Sequence, residues 1–132
     1  MLQAGSLLGG VSRYIARNES DIVVVDPFTG EVKKKLHNPY PNRSAALTTA
    51  GGLLFTGWVD GSFAAYDDTT LEPLWEINVG AGFNAPPMTF ETGGKQYIAI
   101  LTGLGRNGRS ALQDTPELRE MRNQTMLFVF GL

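Results

Sequence analysis

The sequence predicts an all-β chain of about two four-stranded antiparallel blades of a β-propeller, too few to close a ring, with one short helix near the C-terminus. Three observations carry this. Asp26 and Asp67, Thr29 and Thr70, and Glu31 and Glu72 all stand 41 residues apart, which is an internal repeat. The glycine pairs Gly51–Gly52 and Gly93–Gly94 stand 42 apart, and each opens an apolar run. The stretch "GGLLFTGWVDGSFAAYDDTTLEPLWEI" at 51–77 packs short apolar runs between turn signals. A period of ~40 to 45 residues with about four short strands per unit marks a propeller blade.

Along the chain, residues 1–20 show no usable periodicity. "DIVVVD" (21–26) and "VKKKL" (32–36) flank "PFTGE" and predict half a blade over 20–37. Residues 45–78 predict a full blade, closing with "SFAAYD" (62–67), the turn "DTTLE" and "PLWEI" (73–77). At such a corner an aspartate at a strand end accepts backbone N–H bonds, a threonine bonds the same loop, and glycine permits a left-handed residue before the next strand starts. Asp67, Thr70 and Trp75 are therefore read as a structural docking motif, with the Trp75 ring covering the neighbouring blade. Lys34 holds the tryptophan's slot in the first copy.

Residues 86–132 predict a last blade with a loop-and-helix insertion. A hairpin over 86–101 turns at "TGG", and "GLGRNGRSALQD" (103–114) reads as a loop. "TPELREMR" (115–122) reads as a short helix with Thr115 as N-cap and Pro116 in its first turn. "TMLFVFGL" supplies a third strand whose weak alternation predicts burial on both faces, with its outer edge open in this chain. About two blades leave faces and edges that need neighbours, since propellers close with about four to eight.

Composition narrows the function classes. A net charge of −2, with 11 basic and 13 acidic residues well mixed, gives no footprint for nucleic acid or an anionic membrane. The absence of cysteine excludes a disulfide framework and thiolate metal sites without choosing a compartment. No run approaches the ~20 apolar residues of a membrane span, and "MLQAGSLLGGVSR" lacks the charged and apolar regions of a signal peptide.

Several motifs fall to plainer readings. His37, the single histidine, sits beside "NPYPN" and is read as a loop residue, not a ligand or base. Asp67 and Asp68 look like an acid pair, yet Asp67 belongs to the repeated corner. "GLGRNG" follows a hairpin and opens no βαβ helix, so it has no physical basis for cradling phosphate. The Asn-x-Ser/Thr triplets at Asn18, Asn42 and Asn123 are short enough to arise by chance.

The ordered set "TTAGGL", the motif from Asp67 to Trp75, "APPMTF" and "GKQYIAI", followed by "TPELREMRNQTMLFVFGL", resembles the C-terminal end of the pyrroloquinoline quinone (PQQ)-dependent quinoprotein methanol/ethanol dehydrogenases. The resemblance runs from about residue 20 to the end. It implies an eight-bladed propeller of which this chain is the last quarter, a periplasmic location, and PQQ held near the axis on Ca²⁺ or a related metal. It also implies oxidation of a small primary alcohol to an aldehyde, with electrons passed to a cytochrome or quinone acceptor. The metal ligands and the catalytic aspartate of such enzymes belong to earlier blades, so this chain supplies no catalytic or metal residue and is expected to be inactive alone.

Two positions map onto family sites. Arg43 falls where many relatives place a tryptophan against the quinone edge, and a guanidinium there could donate to a PQQ carboxylate or carbonyl. Asn107 falls where relatives place an aromatic residue in the alcohol pocket, so either the pocket is wider here or another residue of 103–109 fills it. The alternative is a non-catalytic propeller scaffold or interaction module with PQQ-like repeats; the tail from "APPMTF" to "FVFGL" favours the enzyme.

Overall fold

The structure is a computed structural model that describes residues 18–105, 112, 115–118, 121 and 124–132. Nine strands follow one another: β1 (Ser20–Val25), β2 (Val32–Asn38), β3 (Ala46–Thr48), β4 (Leu53–Gly57), β5 (Ser62–Asp67), β6 (Pro73–Asn78), β7 (Met88–Thr92), β8 (Lys95–Leu101) and β9 (Leu127–Gly131). They form three antiparallel sheets, ordered β1-β2, β3-β4-β5-β6 and β7-β8-β9. The all-β class is thus as predicted, and none of the three sheets closes on itself.

The middle sheet is the heart of the fold because both its faces are covered. Leu54, Ala64, Tyr66 and Leu71 pack on one side against Ile22, Val24 and Leu36 of the first sheet. Phe55, Phe63 and Ala65 pack on the other against Ile98, Ile100, Phe128 and Phe130 of the third sheet and against Phe83. This two-sided burial explains why β4 and β5 read as continuous apolar runs without alternation. Gly57 lies where the sheets come closest: a Cβ there would stand 2.5 Å from Cγ of the fully buried Phe83. A third cluster of Val59, Leu104, Leu112 and Leu118 seals one end of the stack.

The short helix expected from 115 is found, among the described residues, as a 3₁₀ turn over Pro116–Leu118, with Pro116 at its first position as expected. The Thr115 hydroxyl donates to the Leu112 carbonyl at 2.9 Å, turning back into the preceding loop.

One expectation needs correction, and it concerns β9. It pairs with β8 alone among the described residues, and its other edge is open, as predicted. Its two faces differ, however. Phe128 and Phe130 are half-buried against the middle sheet, whereas Leu127 and Val129 are 60% and 50% exposed. They share their face with Met88, Phe90 and Leu101, which are also exposed, because no sheet among the described residues lies beyond the third one. The apolar residues are there, but the layer that would bury them is not among the described residues.

Candidate functional site

The two corners repeat in atomic detail. Asp26 Oδ1 accepts from the backbone N–H of Phe28 (2.9 Å) and Thr29 (3.1 Å). Asp67 Oδ1 accepts from those of Thr69 (3.0 Å) and Thr70 (2.7 Å), and from the Thr70 hydroxyl (3.0 Å). Thr29 and Thr70 then each accept from the N–H two residues on, at 3.3 Å in both copies. These donors favour the ionised form, so the Asp67 carboxyl lies below the usual carboxylate range, held mainly by the Thr70 and Thr69 N–H groups. Asp26 is lowered likewise, chiefly by the Lys33 ammonium 2.7 Å away. A carboxylate so occupied makes a poor general base.

Trp75 crosses from the middle sheet to the third. Its ring meets Phe130 of β9 edge-on with centroids 5.4 Å apart, and Phe63 of β5 at 6.1 Å. The ring remains 42% exposed. Beside it, an apolar crevice of about 520 Å³ runs along the open edge of β9, between Phe55, Leu74 and Trp75 on one side and Val129 to Leu132 on the other. No ionisable side chain lines it, so it has the character of an unfilled packing space, not of a reaction site.

Arg43 lies at the other side of the middle sheet, in the loop that enters β3, three strand spacings or about 14 Å from β6. The loop is braced on all sides. Asn42 Oδ1 accepts from the N–H groups of Ser44 (3.1 Å) and Ala45 (3.0 Å), while Asn42 Nδ2 donates to Thr56 Oγ1 (2.9 Å). The Thr56 hydroxyl donates onward to the Ala45 carbonyl at 2.8 Å. Ser44 is completely buried, and its hydroxyl donates to the Ala85 carbonyl at 2.8 Å. At the centre, Arg43 is half-buried, and its Nε is shut off from water with no hydrogen-bond partner.

A buried donor without an acceptor costs about 1–3 kcal/mol. A ligand with a carboxylate or carbonyl against the guanidinium would relieve that cost, and a planar quinone carrying carboxylates is such a ligand. Arg43 therefore fits the cofactor that the family resemblance implies. Among the described residues no group of three or more histidine, cysteine, aspartate or glutamate side chains could hold a metal ion. Asn107 lies outside the described residues.

His37 is not in a loop. It belongs to β2, and the register Asp21↔His37 brings its Nδ1 to 3.0 Å from Asp21 Oδ1, with Glu19 3.8 Å from Nε2. Strand pairing supplies the carboxylates that the local sequence lacks. The group is solvent-exposed, and Lys35 completes it at 2.8 Å from Asp21.

Sequence reading missed Asn42, Ser44 and Thr56 as a frame around Arg43. The available signal was the Asn-Arg-Ser triplet, since asparagine two residues before a serine also suits a turn in which its side chain caps the following N–H groups.

No helix among the described residues is long and apolar enough to cross a membrane. The family model of the glucose/ethanol/alcohol dehydrogenase β-propeller domain matches residues 14–98. A quinoprotein ethanol dehydrogenase of Pseudomonas putida is 38% identical over 105 residues, covering 76% of this chain and 17% of that protein. A lupanine 17-hydroxylase [cytochrome c] of a Pseudomonas species is 37% identical over 102 residues, covering 77% of this chain and 14% of that protein. Among solved structures, a europium-containing methanol dehydrogenase superposes with a TM-score of 0.74 at 28% identity, covering 85% of this chain and 23% of that one. The chain thus spans about a sixth of the length of the curated relatives it matches. On the matched model, the identities and the shared sheet architecture, the chain belongs to the PQQ-type glucose/ethanol/alcohol dehydrogenase β-propeller family.

Proposed function

We propose that this chain is the C-terminal part of a periplasmic, PQQ-dependent alcohol dehydrogenase, contributing one edge of the cofactor site and the last blades of the ring. In the complete enzyme, small primary alcohols are oxidised to aldehydes and the electrons pass to a cytochrome or quinone. PQQ, when bound, supplies the quinone that accepts the alcohol's hydride, and Ca²⁺ or a related ion accompanies it. The europium of one structural neighbour keeps the choice of metal open to trivalent lanthanide ions. Ethanol and methanol in the names of two relatives support a small primary alcohol, whereas another relative is named for lupanine, which is not an alcohol.

Arg43 carries the reading. Its Nε is the one buried side-chain donor or acceptor among the described residues without a partner, and the family resemblance implies that its position is that of a tryptophan at the quinone edge. The guanidinium would hold a PQQ carboxylate or carbonyl and orient the ring. Asn107 would line a widened alcohol pocket. Asp67, Thr70 and Trp75 would keep adjacent blades in register so that Arg43 stays in place.

Two measurements test this. PQQ titration followed by quenching of tryptophan fluorescence should show Arg43→Ala weakening the complex about 10- to 100-fold, the worth of a charge-assisted hydrogen bond. Unchanged affinity would remove Arg43 from the site. The coding sequence upstream should supply further blades carrying Glu, Asn and Asp metal ligands, whereas an upstream stop followed by an unrelated neighbour would favour a non-catalytic module.

A further inference from the structure

Ala45 has φ +63°, a conformation that residues with a Cβ rarely adopt. The other non-glycine residue in this region, Leu71 (φ +59°), has an architectural explanation. It closes the Asp67 corner, and 41 residues earlier Gly30 holds the same place with φ +74°. Ala45 has no such explanation. In the last blade, whose glycine pair and strand start lie 42 residues on, the chain carries Pro87 at this place, whose ring fixes φ near −65°, so a blade can enter its inner strand without a left-handed residue. The Asn42-Arg43-Ser44-Ala45 unit reads Asn84-Ala85-Pro86-Pro87 there, keeping the asparagine but not the arginine, the serine or the left-handed residue. Among the described residues the strained turn is peculiar to the blade that carries Arg43.

We infer that Asn42 and Ala45 are positioning residues, and that the strained turn between them exists to hold the Arg43 guanidinium in its ligand-binding orientation before the ligand arrives. Asn42 fixes the turn from within through Ser44 and Ala45, and Thr56 ties it to β4. Ser44 anchors it to the entrance of the next blade through Ala85. Such bracing leaves Arg43 little freedom to lose on binding, which is where preorganisation raises affinity. The inference rests on the reading of Arg43 as a cofactor contact, but its physical content, an Arg43 immobilised before binding, is measurable without cofactor.

The test uses this chain carrying Leu127→Lys and Val129→Lys, which blunt the open edge of β9, in three forms: otherwise unchanged, with Asn42→Ala and with Ala45→Gly. Relaxation of the Arg43 Nε–H group, assigned with Arg43→Ala, reports its order by NMR; melting and PQQ titration accompany it. Ala45→Gly removes the left-handed penalty, so the melting temperature should stay level or rise. The same change should loosen Arg43 and weaken PQQ about two- to fivefold, the scale of freeing one residue. A merely structural turn cannot give higher stability with lower affinity. Asn42→Ala should loosen Arg43 as well; if it fails to fold, Ala45→Gly carries the test. An Nε–H equally mobile in the otherwise unchanged chain and in Ala45→Gly overturns the inference whether or not PQQ binds. An ordered Arg43 whose replacement by alanine leaves PQQ affinity unchanged overturns the cofactor reading instead.

Discussion

Gly57→Ala is the sharpest available probe of how the middle sheet meets the third. The added Cβ would lie 2.5, 2.7 and 2.8 Å from Cγ, Cβ and Cδ2 of Phe83. Carbon contacts settle at about 3.5–4.0 Å, so roughly 1 Å of separation must be found. Phe83 cannot yield it, being fully buried with its ring centroid 5.8 Å from that of Phe63. The strain passes to β4 or to the 83–85 segment, at an overpacking cost of about 1–3 kcal/mol. With a urea dependence near 1.5 kcal/mol per molar for a chain of this size, a loss of about 2 kcal/mol moves the midpoint down by about 1 M or more. Equilibrium urea unfolding at sub-micromolar concentration, followed through the buried Trp58, reads this shift. Gly51→Ala is the control: its nearest non-neighbouring atom is 3.8 Å away, and the change should stay within about 0.5 kcal/mol. Phe83→Leu combined with Gly57→Ala should cost less than the two changes summed, by about 1 kcal/mol or more, because the methyl enters space the ring vacated. Additivity within about 0.5 kcal/mol would refute the steric argument.

Asp21, Asp26 and Asp67 all have lowered pKa values, so each binds its proton less readily folded than unfolded. Their contribution is fully present above the unfolded value of about 3.9 and is lost as pH falls through the folded values. Melting temperature should therefore hold steady from neutral pH to about 5 and fall below about 4; a fall between 7 and 5 would contradict the assignment. The open edge of β9 and the exposed Met88, Phe90, Leu127 and Val129 should make the chain self-associate, and Leu127→Lys with Val129→Lys should suppress this in sedimentation velocity. A sharp monomer boundary with cooperative melting of the unchanged chain would count against it. Supplied with PQQ, Ca²⁺ and ethanol, the chain should reduce no artificial acceptor, and turnover above a protein-free blank would show that the missing ligands are dispensable.

What was legible in the sequence was local or repeated. The corners are bonds between residues two or three apart, so Asp-x-x-Thr spelled out twice at a 41-residue spacing is nearly the structure itself. Strand positions followed from apolar runs and turn residues, because each strand's own pattern decides them. The misses depended on what lies across a gap. The carboxylate beside His37 comes from 16 residues away by strand register, and the two faces of β9 differ because only one has a neighbour. The frame around Arg43 was hidden for another reason: its key feature is a backbone angle, and an alanine does not announce a left-handed φ as a glycine would. Yet the repeat contains a means of recovering it. Two non-glycine residues hold positive φ, and their copies one period away sort them. Leu71 matches Gly30, so the conformation belongs to every such corner and serves the blade. Ala45 matches Pro87, so the conformation is forbidden in the copy and cannot be what the blade requires. In a repeat protein, strain that recurs with the period belongs to the architecture, and strain present in one copy alone points to the place where that copy does something its neighbours do not.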